Sequence, residues 1–193
     1  PLIQAGLLHY QFEAIHPFLD GNGRVGRLLI ILFLIERKVL TSPLLYISAF
    51  FEATRSEYYD CLSAVSQESK WNQWLEYFLN GIARMSDDVL SRAERINGLL
   101  EKWRKMIADG KPKILPDVVD LLAENPFWTT KKLSEQLQVA FTTAQRAINV
   151  LIEHKILSQV DNAQRDRVFC ATSIMEILYN SPKIKLSVSM LSN

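Results

Sequence analysis

The sequence predicts a mainly α-helical protein. Apolar residues recur at the three- to four-residue spacing of an amphipathic helix over Leu2–Ile15, Trp71–Ile82 and Met85–Asp109. Only two short runs, Leu157–Val160 and Arg167–Ala171, have β-type composition, and both lie towards the C-terminal end. A chain of 193 residues can hold one large domain, or a medium one and a small one. We therefore expect a helical core followed by a smaller domain that contains two strands.

Charge and cysteine content narrow the class of protein. The formal net charge of +1 provides no strong basic field, so general attraction to nucleic acid or to an anionic membrane is not expected. Cys61 and Cys170 lack metal-binding spacing and fit a reducing compartment. The apolar run Leu28–Ile35 is far too short to span a membrane and predicts a buried helix. We expect a cytoplasmic protein without a membrane partner.

The densest chemistry lies at positions 16–27, which read His-Pro-Phe-Leu-Asp-Gly-Asn-Gly-Arg-Val-Gly-Arg. Pro17 and the run 20–23 are turn formers, because Gly and Asn tolerate the positive φ of tight loops. Good helix formers follow from Gly23, and they predict a helix over 23–38. The loop therefore lies at a helix N-terminus, where unpaired N–H groups and the helix dipole favour an anion.

The side chains of this stretch suit a triphosphate. Arg24 and Arg27 are three residues apart, on one helix face, and their guanidinium groups match phosphate oxygens. Asp20 offers an oxygen ligand for Mg²⁺, which is held by few carboxylates together with substrate phosphates. His16 is a proton acceptor at neutral pH. The competing interpretation is structural: a packed histidine, a helix cap and a solvated arginine face. It explains single residues but not their combination.

The same stretch resembles the Fic domain motif H-P-F-x-[DE]-G-N-G-R-x-x-R at every specified position. The resemblance implies a Fic-type helical core that transfers AMP from ATP to a Ser, Thr or Tyr hydroxyl of a target protein. By the resemblance, His16 is the general base and Asp20 holds Mg²⁺. Gly21, Asn22 and Gly23 cradle the phosphates, and Arg24 and Arg27 neutralise the outer ones.

A second segment has a weaker link to the same family. The run Ile47–Val65 is predicted to be helical and is rich in aromatic residues. In Fic domains an S-x-x-F/Y segment followed by a Tyr-Tyr pair covers the adenosine, which implies that Tyr59 and Leu62 line an adenine pocket. Ser66 departs from the Asn that the family often has four residues after that Leu. The alternative is that these aromatic residues only fill the core.

Two further elements of the family are expected to be missing from this chain. The flap that positions the target side chain and the inhibitory helix of many members lie upstream of the motif, which begins at His16 here. The inhibitory pattern [ST]-x-x-x-E-[GN] has no match, since its nearest approach, Glu124-Asn125, has Asp120 at the Ser/Thr position.

The pattern changes after Gly110–Lys113, which is predicted to end the helix Met85–Asp109. The following order is helix (114–124), helix (129–137, with Thr129 as N-cap), turn, helix (142–154) and two strands. This order resembles a winged helix-turn-helix domain. The predicted organisation is a Fic core at 1–108, a linker at 109–113, a winged helix at 114–177 and a C-terminal extension at 178–193.

The role of this second domain stays open at the level of sequence. If its third helix reads DNA, Thr142, Thr143, Gln145 and Arg146 would face the major groove, with two wing arginines at positions 165 and 167. Its acidic residues nearly cancel its basic ones, however, and a DNA-binding module normally has a basic face. Binding to protein, or a homodimer through the helix Met85–Asp109, is the other option. The alternative function is a DNA-binding regulator whose Fic core senses a nucleotide.

Overall fold

The computed structural model describes residues 1–160 and 167–179. Within these ranges it contains nine α-helices and one three-stranded sheet, so the predicted mainly α fold is confirmed. Contacts divide the chain into two compact units, Pro1–Leu90 and the described residues from Ser91 onward. None of the helices in the described part of the chain is both long and apolar enough to cross a bilayer.

The first unit is built from five helices around an aromatic core. The predicted helices at 2–15 and 23–38 are confirmed to within two residues. Trp74 is fully buried, and its indole N–H donates to the carbonyl of Gly6 at 3.0 Å, which holds two of these helices together. The elements are α1 (Leu2–Ile15), α2 (Asn22–Glu36), α3 (Ile47–Ala53), α4 (Arg55–Glu68) and the start of α5 (Trp71–Met106).

The predicted helical run Ile47–Val65 is confirmed as helical, but it forms two helices, α3 and α4, because the backbone breaks at Thr54. The φ and ψ of Thr54 are −117° and 34°, outside the helical region. Its buried hydroxyl hydrogen-bonds the carbonyl of Phe50 at 2.8 Å and the hydroxyl of Tyr77 at 2.7 Å. A threonine side chain that bonds to backbone competes with the helix, and here tertiary contacts stabilise the break.

The predicted helical segments Trp71–Ile82 and Met85–Asp109 are confirmed as helical to within three residues, but they form one continuous helix, α5. Ala83 and Arg84, which separate the two predicted segments, are good helix formers. Gly81 does not end the helix either. A Cβ at this position would lie 2.5 Å from the ring of Phe50, so the glycine permits close packing.

The second unit follows the predicted order of elements and adds two. Its elements are the end of α5, α6 (Leu115–Glu124), β1 (Phe127–Thr129), α7 (Thr130–Gln136), α8 (Phe141–Glu153), β2 (Ser158–Gln159), β3 (Val168–Cys170) and α9 (Thr172–Tyr179). The strands form an antiparallel sheet in the order β1-β3-β2. Thr129 is the predicted N-cap of α7, and its hydroxyl accepts from the N–H of Lys132 at 3.2 Å.

Two elements of this unit lie outside the prediction. β1 has only three residues, too few for a recognisable alternation, and it exists because it pairs with β3. α9 crosses the predicted start of the extension at 178, and the predicted extension beyond Tyr179 lies outside the described residues. The division at Leu90 also precedes the predicted linker at 109–113. Leu100 and Trp103, before that linker, pack into the core of the second unit.

Candidate active site

His16 stands at the point where α1 ends. Its φ and ψ of 51° and 57° are in the left-handed region, and its N–H donates to the carbonyl of Phe12 at 3.0 Å. Histidine is among the non-glycine residues that enter this region more often than most. The left-handed turn stops the helix, and the imidazole is left exposed at the start of the motif loop.

Asn22 closes this loop from inside. It is only 2% exposed, and its side-chain carbonyl accepts from the N–H of Phe18 at 2.9 Å. Its amide nitrogen donates to the carbonyl of Phe18 at 2.6 Å. Both ends of the side chain are therefore engaged within the protein. Of the predicted phosphate contacts of Asn22, only the one from its backbone N–H is available.

The start of α2 is open towards solvent. Gly21 precedes the helix with φ 82° and ψ 6°, a conformation that side-chain-bearing residues rarely adopt. No side chain among the described residues caps this end, and Val25 is the first residue whose N–H bonds back, to the carbonyl of Gly21 at 3.0 Å. The N–H groups of Asn22, Gly23 and Arg24 thus have no partner within the helix and form the positive end of its dipole.

The two predicted arginines are placed differently. Arg24 is exposed and lies 3.4 Å from the carboxylate of Asp20, an ion pair of two solvated side chains that holds neither group firmly. Arg27 is half-buried and folds back along the helix start. A Cβ on Gly23 would lie 3.0 Å from its guanidinium, so glycine at this position leaves room for the arginine.

Asp20 suits a divalent cation as one ligand among several. Its carboxylate is almost fully exposed beside the open helix start, where phosphate oxygens would supply the other ligands that Mg²⁺ requires. In residues 1–160 and 167–179 no group of three or more His, Cys, Asp or Glu side chains is arranged to hold a metal. The donor set therefore fits an ion that arrives with phosphates and does not fit a permanent protein-only metal centre.

These residues face one pocket of about 340 Å³ in the first unit. All seven motif residues predicted to bind or react line it. The opposite wall comes from α3 and α4. Of its six lining residues only Tyr59 was predicted individually, although Ser48, Phe51 and Tyr58 also belong to the S-x-x-F/Y and Tyr-Tyr pattern. The motif side consists of His16, Leu19, Asp20, Gly21, Asn22, Gly23, Arg24 and Arg27, and the other wall of Ser48, Phe51, Glu52, Arg55, Tyr58 and Tyr59.

The two predicted adenine residues differ in position. Tyr59 lines the pocket, and the guanidinium of Arg55 lies 5.8 Å from the centre of its ring. Leu62 does not line the pocket; it is half-buried and packs against the core of the first unit. Both members of the Tyr58-Tyr59 pair therefore line the wall, although only Tyr59 was predicted to do so, and Phe51 lines it as well.

Glu13 is a polar residue close to the site that the sequence did not indicate. Burial raises the pKa of its carboxyl, and the positive charges of Arg27 and His16 act in the opposite direction. Its Oε1 is buried without a hydrogen-bond partner among the described residues. Glu13 therefore interacts electrostatically with Arg27 and His16, both of which line the pocket.

The residues predicted to contact DNA lie at the start of α8. Thr142 and Arg146 are exposed, and Thr143 is half-buried. Gln145 is already engaged, since its side-chain carbonyl accepts from Thr130 at 2.9 Å and its amide donates to Asn149 at 2.9 Å. The first wing arginine, at position 165, lies outside the described residues, and the second, Arg167, is exposed beside the ring of Phe169.

Comparison with known proteins agrees with the motif. Residues 1–34, which hold α1, the motif loop and most of α2, match the Fic/DOC family. The chain is 49% identical over 51 residues to the probable protein adenylyltransferase aq_aa38 of Aquifex aeolicus (strain VF5), over 24% of this chain and 16% of that protein. It is 28% identical over 117 residues to the protein adenylyltransferase fic-1 of Caenorhabditis elegans, over 61% of this chain and 20% of that protein. The matches thus span a fifth or less of these curated relatives.

Proposed function

We propose that this protein transfers AMP from ATP to the hydroxyl of a Ser, Thr or Tyr side chain on a target protein. One observation carries the proposal: His16, the open start of α2, both motif arginines and Asp20 line the same pocket. The match of residues 1–34 to the Fic/DOC family and the names of the two relatives support the same chemistry.

The proposed reaction is a displacement at the α-phosphorus. His16 accepts the proton of the target hydroxyl, and the oxygen forms a bond to that phosphorus. The bond from the α-phosphorus to the bridging oxygen of the β-phosphate breaks, and pyrophosphate leaves with the electron pair. The products are AMP-protein and pyrophosphate. Such transfers depend mainly on positioning and charge stabilisation.

The motif supplies both requirements. In the proposed reaction the N–H groups at Gly21, Asn22 and Gly23 donate to phosphate oxygens, and Arg24 and Arg27 neutralise the outer phosphates. Asp20 would hold Mg²⁺ together with phosphate oxygens, and the ion, when bound, adds positive charge against the charge that develops on the phosphates.

The wall across from the motif would receive the nucleoside. Tyr59 offers an exposed aromatic face there, and Phe51 and Tyr58 add apolar surface beside it. Aromatic rings bind a base by stacking, which is tolerant of exact orientation. Leu62 would act indirectly, by packing α4 against the core of the first unit.

The test uses ATP labelled at either the α- or the γ-phosphate, with Mg²⁺ and a protein extract as the source of targets. Compared with the extract alone, the protein should attach additional α-label and no additional γ-label, because it transfers only AMP while kinases of the extract transfer the γ-phosphate. His16→Ala should lower labelling at least 100-fold, the range for loss of a general base. His154→Ala, which removes an exposed histidine of the second unit, should have no effect. Additional γ-label that depends on this protein, or full α-labelling by His16→Ala, would contradict the proposal.

The domain assignment is part of the proposal: a Fic core at 1–108, a linker at 109–113, a winged helix at 114–177 and an extension at 178–193. The sequence of helices α6, α7 and α8 followed by paired strands supports the winged helix. It also supports a second candidate function, a DNA-binding regulator whose Fic core senses a nucleotide.

The exposure of Thr142 and Arg146 in the first two turns of α8 favours this second candidate, the DNA-binding regulator. A gel-shift assay with a pool of random duplexes, with and without ATP, tests it. Arg146→Ala should abolish the shift, whereas Lys102→Ala, which removes one exposed positive charge from α5, should leave it unchanged. A shift that is unaffected by either change, or that ATP does not alter, would count against this alternative.

A further inference from the structure

A buried histidine lies beneath the proposed site without taking part in its chemistry. His9 is 0% exposed and lies on α1, seven residues or about two turns before His16. Its Nε2 is 2.9 Å from the hydroxyl of Tyr58 on α4, which is also buried. The two residues are 49 positions apart in sequence, so this hydrogen bond ties the helix that ends in the base to the opposite wall of the pocket.

The ring of His9 is enclosed by aromatic side chains. It stacks on Phe51 with ring centres 5.5 Å apart and on Trp74 with centres 5.9 Å apart. A Cβ on Gly26 of α2 would lie 3.1 Å from its Cε1, so α2 approaches it closely as well. The ring of His9 therefore contacts the two wall residues Phe51 and Tyr58, and it approaches α2 at Gly26, one turn after the helix start that forms the phosphate half of the site.

His9 is neutral at physiological pH. Burial lowers its pKa to about 4, assisted by the charge of Arg27 and opposed by the backbone of Gly26. A neutral imidazole has one N–H and one lone pair, and the Tyr58 hydroxyl can serve either. A hydrogen bond between neutral groups, closed off from water, is directional and has no competing solvent partner.

We propose that His9 and Tyr58 are a positioning pair, which sets the wall of the pocket formed by Phe51 and Tyr58 relative to the motif. The inference rests on the proposed function only in taking ATP as the ligand. The pair acts on the nucleoside half of the site. The phosphate half is held separately, by the start of α2 and the loop that Asn22 closes.

The same core contains a matched control. The hydroxyl of Tyr77 forms a buried hydrogen bond of 2.7 Å with Thr54 and belongs to the same aromatic cluster. Tyr58 and Tyr77 are each 5% exposed, but only Tyr58 lines the pocket. Tyr58→Phe and Tyr77→Phe therefore remove equivalent groups from equivalent surroundings, and only one of them touches the site.

The experiment measures binding of ATP and of inorganic tripolyphosphate by calorimetry on the whole chain. Tyr58→Phe should weaken ATP binding about three- to tenfold, the value of one neutral hydrogen bond. It should leave tripolyphosphate binding unchanged, because that probe reaches only the motif. Tyr77→Phe should bind both probes like wild type. In the transfer assay Tyr58→Phe should raise KM for ATP by the same factor and change kcat less than about twofold.

Substitutions of His9 complete the test. His9→Gln retains a hydrogen-bonding amide of similar reach and should bind ATP within about twofold of wild type, whereas His9→Ala should match Tyr58→Phe. Since the two residues act as one unit, adding His9→Ala to Tyr58→Phe should cause little further loss. A role in stability alone would lower the melting temperature of both tyrosine variants and leave KM for ATP unchanged.

The possible failures are distinguishable. Equal effects of Tyr58→Phe and Tyr77→Phe on ATP binding would overturn the inference, as would a wild-type protein that binds ATP no more tightly than tripolyphosphate. ATP binding that depends on the pair, without AMP transfer, would overturn the proposed function and support the inference. A wild-type protein that binds neither probe would overturn both.

Discussion

The two units differ in what their cores contain. In the first unit, buried polar groups such as His9 and Thr54 pair with the tyrosine hydroxyls of an aromatic cluster. The core of the second unit is mainly aliphatic, with fully buried side chains such as Leu122 and Ile148. Among its described residues, Thr130 is the one buried polar side chain.

The two cores therefore contribute differently: one fixes the arrangement of its helices, and the other mainly provides stability. A buried polar group is costly unless its partner is in place, so each satisfied pair favours one arrangement of the surrounding helices. The first unit uses such pairs directly under a pocket. An aliphatic core provides stability from burial but few directional constraints. The proposed binding of DNA by the second unit would therefore rest on exposed residues such as Arg146 and not on its core.

The largest expected effect is on the stability of the aliphatic core. Leu122→Ala removes a side chain that is 0% exposed and should lower the free energy of unfolding by about 2–5 kcal/mol. KM for ATP should not change, because the pocket is lined by residues of the first unit alone. Denaturant unfolding and the transfer assay at a temperature where the variant is folded check both statements. A raised KM for ATP would contradict the statement that the core of the second unit affects stability without affecting the pocket.

Overpacking in the first unit should affect both the free energy of unfolding and the binding of ATP. A Cβ on Gly26 would lie 3.1 Å from His9 and from Phe12, and closer still to Glu13. Gly26→Ala should lower the free energy of unfolding by about 1–3 kcal/mol and also weaken ATP binding, since the helices shift. Gly98→Ala is the control, because nothing lies within 4 Å of a Cβ at that exposed helical position. Normal ATP binding by a destabilised Gly26→Ala protein would show that the pocket tolerates such shifts.

The buried histidine predicts a pH dependence of stability. The pKa of His9 is about 4 in the folded chain and 6.5 ordinarily, so between these values the unfolded chain binds more protons. Its contribution to stability is complete above pH 6.5 and is lost as the pH falls towards 4. By pH 5 the loss should be about 2 kcal/mol.

His9→Gln provides the comparison, because both proteins share every other titrating group, including Glu13 and Arg27. Wild type should lose about 2 kcal/mol more than His9→Gln between pH 7.5 and pH 5 in denaturant unfolding. Parallel loss in the two proteins would mean that His9 is protonated in the folded state at pH 5.

The smallest expected effect is on the stability of α7 in the second unit. Thr129 caps α7 through its hydroxyl, and Thr129→Ala should cost about 1 kcal/mol of unfolding free energy. Thr129→Ser keeps the hydroxyl and should retain most of this unfolding free energy. ATP binding should be normal in both variants. A Thr129→Ala protein as stable as wild type would mean that solvent replaces the cap.

Much of the molecule was predictable because its signals are local. Apolar spacing, helix-forming residues and turn residues together placed α1, α2, α6 and α8 within two residues of their ends, and the cap at Thr129 followed from residue type. The helix break at Thr54 and the strand β1 were not predicted, because long-range contacts determine both. Thr54 breaks a helix through Tyr77, which lies 23 residues away, and β1 forms only by pairing with β3.

The sequence by itself determined the chemistry of the motif: a turn-forming loop before a helix, with an imidazole, a carboxylate and two guanidinium groups within twelve positions. Spacing along a chain is sufficient there, because these groups lie within a few turns of one another. The tertiary structure decided which side chains form the pocket wall opposite these groups. Phe51 and Tyr58 belong to the wall, Leu62 does not, and His9 is joined to Tyr58 across 49 residues. The physical reason is that such neighbours are selected by the packing of whole helices, which no local pattern encodes.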